Sequence, residues 1–330
     1  MDERKPPWSH AIRPEDAPFH QGERAVQVRA GVRERMARVP PRGFRDAMPD
    51  QHRELFAKLP WFLVGSVDEN LQPWASVLVG RPGFLRSPDP QTLEVNALPV
   101  QGDPLARNLR EGAALGGLGI QLETRRRNRV NGVVTELSPG GFTLRVGQSF
   151  GNCNQYIQAR EPVWVDAASA TAAIHSLGPN LPEALRSAIA RADTFFIASA
   201  TPAARGAGAA VHGADVSHRG GNPGFVQISE RAGQTVLTLP DYPGNNFFNT
   251  LGNLELWPHA GLLFIDFQTG DTISLAADSE VLWEGPELAG SRGAERLLRV
   301  AIRGGVWIER ALPLRWSAPR FAQELIELRA

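Results

Sequence analysis

The sequence has a single cysteine, Cys153, in 330 residues, and it contains no long hydrophobic run. One thiol excludes an intrachain disulfide framework and any cysteine-rich zinc or iron–sulfur site. No stretch of about 18 apolar residues is present to cross a membrane, and the amino terminus lacks the apolar core of a signal peptide. The expected location is therefore the cytoplasm, with no membrane partner.

Net charge is also absent, because 35 acidic residues balance 35 basic ones. This balance excludes a general nucleic-acid-binding surface, so any function that depends on charge must be local. Lysine is nearly missing as well, since Lys5 and Lys58 are the only two and arginine supplies the other basic residues. Where an arginine reaches a site, its planar guanidinium suits phosphate and carboxylate groups.

Motifs for metal or nucleotide chemistry are lacking too. The seven histidines are scattered along the chain, and no two of them have the i, i+4 spacing of a helical metal site. Nothing matches a phosphate-binding P-loop, a dinucleotide glycine fingerprint or HExxH. We therefore predict no metal site.

One unit of the sequence occurs twice. MPDQHRELFAKLPWFLVGS is repeated as LPEALRSAIARADTFFIAS, WASVLVGRPGF as DVSHRGGNPGF, and NLREGAALGGLGI as NLELWPHAGLLFI. The pairs of equivalent positions are Pro49 and Pro182, 133 residues apart, Ser76 and Ser217, 141 apart, and Asn108 and Asn253, 145 apart. The change from 133 to 141 comes from ATPAARGAGAAVHGA, which is eight residues longer than its counterpart VDENLQP and whose composition predicts a flexible loop.

Each copy predicts a proline-initiated helix of about ten residues, followed by strands and turns at the spacing of a compact antiparallel barrel. Long β-α-β alternation is absent, which excludes a doubly wound nucleotide fold. We predict a mainly β (α+β) protein with two tandem barrels arranged as an internal pseudo-dimer. The expected division is an N-terminal arm and helix over 1–47, a first barrel over 48–165 and a second over 166–330. Within the arm, residues 1–30 read as irregular, whereas ERAVQVRAGVRERMARV has helical spacing.

Four arginines lie within five residues of the segment ETRRRNRVNGVV. One interpretation is a solvated loop that leads into an Asn131-Gly132 hairpin turn. The other is a β-strand, which would place Arg125, Arg127 and Arg129 on one face. Three guanidiniums on one face repel one another unless an anion such as phosphate sits among them.

The second copy is more polar than the first in its DVSHRGG strand. Ser217 and Arg219 share one strand face and His218 points the other way, whereas the first copy has Val77 and Leu78 in the places of His218 and Arg219. A polar edge strand is one interpretation. An anion-binding pocket that only one of two related barrels has kept is the other.

The segment NNFFNTLGN opens the short helix of the second copy. Asn249 or Thr250 can cap this helix while its first N–H groups stay free for an anion. Its first-copy counterpart, GDPLARN, has no Asn-Thr pair. The second copy is again the better equipped for binding.

The segment GQSFG around Ser149 matches a serine nucleophile elbow and gives a remote alternative, a serine hydrolase. That chemistry needs a helix after Ser149, and NCNQYIQAREP is a poor helix start, so a strand with a glycine bend competes. The density of Asn and Gln near Asn152 and Tyr156 suits a heterocycle with carbonyl and N–H edges. Cys153 is expected to be a small buried residue and not a nucleophile.

Taken together, these residues resemble the pyridoxamine 5′-phosphate oxidase-like family of FMN-binding split β-barrel proteins. The resemblance rests on WFLVGSVDENLQPWAS, DVSHRGGNPGF, GNNFFNTLGNLELWPHAGLLFID and RRNRVNG, the last being similar to the family's R-Q-V-R-V-E-G strand. It covers about residues 48–310 and implies two tandem split β-barrels with short flanking helices. It also implies that FMN lies at an interface between two barrels.

The resemblance implies strand and helix positions for the flavin phosphate and a share of the site from the first barrel. Arg127 stands where the family segment has Gln, with Arg126 and Arg129 beside it. The family's R-x-V-L-L-K strand and Ser-Arg-Lys triplet are absent, so oxidation of pyridoxamine phosphate itself is not expected. With His218, Asn152 and Tyr156, which the polar character of their own segments suggests, the expected cofactor-binding residues are Ser217, His218, Arg219, Asn249, Thr250, Asn253, Arg126, Arg127, Arg129, Asn152 and Tyr156.

The expected function is that of an FMN-dependent oxidoreductase acting on a small molecule, with NAD(P)H or oxygen as redox partner. Flavin would carry the redox chemistry, and Arg127 or Arg129 would stabilise its reduced, anionic form. The alternative from another class is a non-catalytic flavin- or haem-binding or sensor protein of the same fold. No nucleic acid is expected as a partner, and a homodimer is left open.

Overall fold

The protein consists mainly of antiparallel β-strands with a few short helices, as predicted. A computed structural model describes residues 18–38, 44–166, 172–205 and 213–327. Within these ranges the strands are β1 (Trp61–Val67), β2 (Pro73–Val79), β3 (Leu85–Arg86), β4 (Thr92–Val95), β5 (Ala114–Gln121), β6 (Arg126–Ser138), β7 (Gly141–Gly151), β8 (Pro162–Trp164), β9 (Ile174–Leu177), β10 (Thr194–Ala200), β11 (Ala214–Gly220), β12 (Gln227–Arg231), β13 (Gln234–Asp241), β14 (His259–Ile265), β15 (Thr272–Leu282), β16 (Arg296–Ile308) and β17 (Leu314–Trp316). The helices are α1 (Gln21–Arg29), α2 (Arg33–Ala37), α3 (Asp50–Lys58), α4 (Leu105–Asn108), α5 (Glu183–Arg191), α6 (Asn249–Leu256), α7 (Pro286–Ala289) and α8 (Gln323–Glu327).

Two sheets with the same strand order form the body of the molecule. The first has the order β2-β1-β5-β6-β7-β4-β3, and the second has the order β11-β10-β14-β15-β16-β13-β12. Strand β9 pairs with β16, and β8 pairs with β17 in a separate two-stranded sheet. The equivalence of the two orders confirms an internal duplication, while the domain boundary near residue 165 stays a prediction.

The strand registers reproduce the offsets found in the sequence. Trp61 pairs with Val79 in the first sheet, and Thr194 pairs with Gly220 in the second. These partners are displaced by 133 and 141 residues, which are the two offsets of the sequence repeat. The repeated segments therefore fold into the same hydrogen-bonded pairs, and the long insertion between them changes the numbering and not the register.

Each copy begins with the predicted helix, now seen as α3 and α5. Pro49 and Pro182 stand at the two N-caps with extended ψ angles of 158° and 149°, because proline fixes φ and tolerates the start of a helix but not its interior. Helix α3 ends at Lys58, and its C-cap residue Leu59 is extended, since the following Pro60 disfavours helical backbone in the residue before it. Phe56 and its equivalent Ile189 are buried in the two barrel cores.

The two sheets pack face to face through a shared apolar cluster and two equivalent glycines. A Cβ atom on Gly116 would lie 2.5 Å from the Ala214 carbonyl oxygen, and one on Gly261 would lie 2.3 Å from the Pro73 carbonyl oxygen. Gly116 and Gly261 are 145 residues apart, and Pro73 and Ala214 are 141 apart. The equivalent surfaces of the two sheets thus contact each other reciprocally, as in a twofold-symmetric dimer.

The hairpin turn, which was one of the two interpretations of the Asn131-Gly132 pair, is wrong. Asn131 and Gly132 form no hairpin turn but lie inside the 13-residue strand β6, at a register shift opposite Gln148 and Val146. A Cβ on Gly132 would lie 2.0 Å from the carbonyl oxygen of Arg145, so this glycine serves a β-bulge and a close strand approach. The Asn-Gly pair alone does not distinguish the two uses of glycine.

The N-terminal region is more regular than predicted where the structure describes it. Residues 21–29 form α1, and Gly31, with a φ of 69°, separates it from α2, so the predicted helical segment is two short helices. The arm before residue 18 lies outside the described residues, and so do residues 206–212, which are part of the Ala- and Gly-rich segment predicted to be a flexible loop. No helix in the described part of the chain is long and apolar enough to span a membrane.

Candidate functional site

A polar cavity lies between the two sheets, where β6 and the segment after β7 face β11 and the start of α6. Its enclosed volume is about 120 Å³, and it opens into a wider mouth. A cavity of roughly 150 Å³ accommodates one benzene ring, so the enclosed part has room for a single ring or a phosphate group. Its lining includes Arg127, Arg129, Asn152, Cys153, Tyr156, Ser217, His218, Arg219, Asp241, Tyr242, Phe248, Asn249 and Thr250.

Most of the residues singled out in the sequence meet in this cavity, but Arg126 and Asn253 do not. Arg126 donates to the Gln51 carbonyl oxygen on the other face of β6. Asn253 is a buried residue of α6, and its amide donates to Ser199 Oγ of β10 at 3.0 Å. Arg125 has a φ of 56° just before β6 and donates to the carbonyl oxygen of Ile157. Only Arg127 and Arg129 therefore share the predicted arginine face.

Arg127 is the guanidinium with no carboxylate. It donates to the carbonyl oxygen of Cys153, and its Nη1 lies 3.2 Å from His218 Nδ1. No ion pair joins it to an acid of the described residues. Desolvation and the neighbouring Arg219 lower the pKa of Arg127 to about 10. An anion in the cavity would reverse both effects, because it would favour the charged guanidinium.

Arg129 is more deeply buried and is paired. It forms an ion pair with Asp215, and its Nη2 donates to Ser217 Oγ at 2.7 Å. Thr250 Oγ1 donates to the same Ser217 oxygen at 3.1 Å. Burial, with Arg127 as the next cause, lowers the pKa of Arg129 to about 9. The predicted strand and helix residues thus meet through one serine, with a guanidinium of the first sheet beside it.

The third guanidinium, Arg219, shares an acid with another arginine. Arg219 Nη1 lies 3.0 Å from Asp241 Oδ1, and Arg296 Nε lies 2.9 Å from Asp241 Oδ2. Arg296 also pairs with Glu295, so the guanidiniums that line the cavity, those of Arg127, Arg129 and Arg219, have two carboxylate partners, Asp215 and Asp241. The cavity therefore carries excess positive charge.

Helix α6 begins at the cavity without a side-chain cap. Phe248 is the N-cap residue, with a φ of 61°, and no side chain accepts from the first turn. The cap predicted for Asn249 or Thr250 is not formed, because Thr250 donates to Ser217 and Asn249 donates to Glu23 of α1. The first N–H groups of this eight-residue helix carry the positive end of its dipole.

Glu23 is an acidic neighbour that the sequence did not reveal. It is 3% exposed, and its carboxylate accepts from the Asn249 amide and, at 2.8 Å, from the backbone N–H of His20. Burial outweighs these hydrogen bonds and raises the pKa of Glu23 to about 7. At neutral pH it therefore cancels only part of the nearby positive charge.

In the first copy, a carboxylate of the protein itself fills the position between the strand serine and the start of the short helix. Asp103 Oδ1 accepts from Ser76 Oγ at 2.6 Å and from the Leu105 N–H at 2.8 Å. Ser76 is equivalent to Ser217, Leu105 to Thr250 and Asp103 to Phe248. The second copy thus keeps the strand hydroxyl and the helix start but has lost the internal anion.

The position that Asp103 closes in the first copy also lacks the arginine side chains of the cavity. By the register of β14 and β15, Thr272 and Ser274 are equivalent to Arg127 and Arg129. Val77 and Leu78 take the places of His218 and Arg219. The two related positions differ in charge and in access, and only the second forms a cationic cavity.

Strained backbone surrounds the mouth of the cavity. Tyr156, Asn246 and Phe248 all have φ near 61°, a conformation that non-glycine residues rarely adopt. The rings of Tyr156 and Tyr242 stack at 5.2 Å, and Tyr156 Oη donates to the Pro243 carbonyl oxygen at 3.0 Å. Two loops, one from each sheet, are therefore fixed against each other at the mouth.

The serine-hydrolase alternative gains no support from the geometry. Ser149 is fully buried in β7, and His52 Nδ1 lies 2.9 Å from its hydroxyl. Burial and the nearby Arg45 and Arg126 lower the pKa of His52 to about 4. No helix follows the serine, and the cavity is not lined by it. Among the described residues, no cluster of His, Cys, Asp and Glu could hold a metal ion.

No protein-family model and no curated protein sequence matches this chain. Several solved structures are similar in part. One, from Lactobacillus delbrueckii, is a putative pyridoxamine 5′-phosphate oxidase with 12% identity; the match covers 40% of this chain and 98% of that one, with a TM-score of 0.28.

Two further structures show the same level of similarity. A pyridoxamine 5′-phosphate oxidase-related, FMN-binding protein from Nostoc punctiforme has 11% identity, with 35% of this chain and 56% of that one covered and a TM-score of 0.21. HutZ, the haem storage protein of Vibrio cholerae, has 12% identity, coverages of 39% and 95%, and a TM-score of 0.26. TM-scores this low support no functional assignment.

Proposed function

We propose that this chain is a tandem split-barrel flavoprotein that binds FMN in the cavity between its two sheets. Ser217, Arg219 and Thr250 would hold the phosphate with the start of α6. Arg127 and Arg129 of the first sheet would face the ring. The observation that supports this most directly is the contrast with the first copy, where the Asp103 carboxylate lies between the equivalent hydroxyl and helix start.

The unpaired polar atoms of the cavity fit such a ligand. Arg129 Nε, Asn152 Oδ1 and His218 Nε2 are buried without hydrogen-bond partners. Each buried orphan of this kind costs on the order of 1–3 kcal/mol, so a ligand that supplies partners gains affinity. FMN brings both an anion for the guanidiniums and a heterocycle with donors and acceptors.

The size of the cavity limits how much of the ligand is enclosed. About 120 Å³ holds a phosphate or one ring, so the remainder of an FMN molecule would extend through the mouth. Tyr156 and Tyr242 stand there with apolar ring faces. Such aromatic faces cover planar heterocycles and exclude water from them.

We propose further that the bound flavin serves an oxidoreductase reaction on a small molecule, with NAD(P)H or oxygen as the second substrate. FMN supplies the hydride and electron chemistry when bound. The protein's own contribution is electrostatic, because Arg127, which has no carboxylate partner, would stabilise negative charge on the ring. The cytoplasm is the proposed location.

Haem is the competing ligand within a non-catalytic binding function. His218 is the imidazole in the cavity, and an iron ligand needs a free lone pair on its ring nitrogen. Arg127 can only donate, so Nδ1 of His218 accepts from it and Nε2 carries the proton. That tautomer offers no lone pair to iron, and the geometry therefore favours flavin.

The test is the visible absorption spectrum of the purified protein, followed by chromatography of the ligand released on denaturation. We expect the yellow two-band flavin spectrum and FMN as the released molecule. A Soret band would show haem binding instead. A colourless protein that takes up no added FMN would refute the proposed function, whereas tight FMN binding without reoxidation of NADH or NADPH would favour the non-catalytic alternative.

A further inference from the structure

His218 is a buried side chain with one ring nitrogen unaccounted for. It is 4% exposed, lines the cavity, and its Nε2 has no hydrogen-bond partner. Its ring lies edge-on to Phe196, at a centroid distance of 5.7 Å. The equivalent residue of the first copy is Val77, so the barrel itself has no need for a polar group here.

The protonation of His218 is fixed by its neighbour. Nδ1 lies 3.2 Å from Arg127 Nη1, and guanidinium has donors only, so Nδ1 must accept and Nε2 must carry the hydrogen. Burial, followed by the charges of Arg127, Arg219 and Arg160, holds the pKa of His218 well below its usual value. The imidazole is therefore neutral and presents one buried donor, Nε2–H.

An orphan acceptor lies in the same cavity. Asn152 Oδ1 is buried without a partner, and the Asn152 backbone N–H donates to the Arg127 carbonyl oxygen at 3.1 Å. Asn152 is thus bonded through its backbone to Arg127, the residue that orients His218. Since an amide offers an oxygen acceptor and an NH₂ donor, either orientation of the Asn152 group can meet a mixed polar edge.

We propose that His218 and Asn152 form a subsite for the edge of a planar heterocycle that carries a carbonyl oxygen beside a ring N–H. His218 would donate to the carbonyl, and Asn152 would pair with the ring nitrogen. This inference rests on the proposed function, because the pyrimidine end of FMN has such an edge. It adds that ring recognition is separate from phosphate recognition by Ser217 and the start of α6.

The separation has a physical basis in charge. A neutral donor gains little from a dianion that already has guanidiniums and helix N–H groups around it. The same donor discriminates strongly among rings, because a ring without a carbonyl at that place would leave the buried N–H unpaired. His218 is therefore a specificity-determining residue in this account.

The experiment titrates FMN and riboflavin, which has the same ring without the phosphate, into the full chain and follows flavin fluorescence. His218→Val introduces the residue of the first copy, and it should weaken both ligands by about tenfold, the value of one net hydrogen bond. His218→Gln keeps an N–H donor and should restore affinity for both to within about threefold. Ser217→Ala, on the phosphate side, should weaken FMN by a similar factor and weaken riboflavin less, because riboflavin has no phosphate.

The outcomes separate the two proposals. If the wild type binds no flavin, the proposed function fails and this inference fails with it. If FMN binds but His218→Val leaves riboflavin affinity unchanged, or if riboflavin does not bind the wild type at all, the subsite is refuted while the proposed function stands. Thermal melting of each variant establishes that the chain is folded; His218→Gln carries the test should His218→Val fail to fold.

Discussion

Two arginines of the cavity differ in what their removal would leave behind. Arg129 is buried against Asp215, and breaking a buried pair from one side typically costs about 3–5 kcal/mol. Arg127 has carbonyl oxygens and an imidazole as partners. Its loss orphans no carboxylate, which makes Arg127 the better probe of ligand binding.

We expect Arg127→Met to weaken FMN by about tenfold to a hundredfold, because a charge-assisted contact is worth about 1.5–3 kcal/mol. Fluorescence titration measures the change. Arg126→Met is the matched control, since Arg126 is the preceding residue but donates to Gln51 on the other strand face. Equal loss of affinity in both variants would show that the effect is not local to the cavity.

Glu23 makes stability depend on pH in a direction set by its raised pKa. The unfolded chain releases this proton near its ordinary value of 4.5, whereas the folded protein keeps it up to about 7. The contribution of the protonated Glu23 carboxyl to the free energy of unfolding is therefore fully present below about pH 4.5, and it is lost as the pH rises to 7. Each pKa unit is worth about 1.4 kcal/mol, so the loss is on the order of 3 kcal/mol.

Glu23→Gln resembles the protonated acid and should remove this loss. Urea unfolding at pH 5 and pH 8 should give the variant a smaller decrease in free energy of unfolding than the wild type. Asp103, whose pKa burial raises to about 6, acts in the same direction and is present in both proteins. If the wild type and Glu23→Gln lose the same free energy of unfolding between pH 5 and pH 8, Glu23 is ionised without cost to stability.

Site residues could be predicted where the residue type and a comparison with the equivalent position of the other copy were sufficient to identify them. Ser217, His218 and Arg219 stood out because the first copy is apolar at two of these places. Glu23, Asp215 and Asp103 could not be found in this way, since their contacts join segments far apart in the sequence. The comparison of Asp103 with Phe248 was available in the sequence once the offset of 145 was known.

At the level of elements, one hydrogen bond is present in both copies. Asn108 of α4 donates to Ser66 of β1 at 2.9 Å, and Asn253 of α6 donates to Ser199 of β10 at 3.0 Å. Both asparagines are buried. Because the first copy keeps this bond without a cationic cavity, it anchors the short helix to its strand.

Asn253→Ala and Asn108→Ala should therefore both destabilise the protein, each by about 1–2 kcal/mol. The larger effect is expected for Asn253, since His20 Nε2 also lies 3.0 Å from its Oδ1. Chemical denaturation measures the two free energies of unfolding. A loss of FMN affinity in Asn253→Ala with no change in stability would instead return Asn253 to the ligand-binding set.

The elements themselves were largely predictable, but their ends and bulges were less so. Proline at both helix starts and the apolar strands that follow have strong local patterns. The bulge at Gly132 is fixed by the neighbouring strand, where the Arg145 carbonyl approaches. The local sequence does not show this tertiary contact, so the Asn-Gly pair predicts a turn.

At the scale of the whole molecule, close packing of the two sheets depends on glycine at two equivalent sites. We expect Gly116→Ala and Gly261→Ala each to cost more than about 2 kcal/mol, because backbone atoms within 2.5 Å of the new methyl cannot yield without moving a sheet. Gly140→Ala is the control, since nothing lies within 4 Å of its Cβ position. Equal melting temperatures for Gly116→Ala and Gly140→Ala would contradict the packing described.

The duplication also separates scaffold from function. A shallow groove beside α3, lined in part by Asp50, Arg53 and Gly83, recurs beside α5 with Glu183, Arg186 and Gly224. Grooves present in both copies belong to the barrel. Among the described residues, the cationic cavity forms where β11 and α6 of the second copy face the first sheet, and Asp103 closes its counterpart, so one ligand per chain is expected.

FMN binding in the cavity is tested most directly by a titration of the ligand-free chain with FMN at protein concentrations well above the dissociation constant. We expect saturation at one FMN per chain, and we expect Arg127→Met to keep this stoichiometry with a dissociation constant about tenfold to a hundredfold higher. Saturation at two per chain, or no uptake by the wild type, would contradict this expectation.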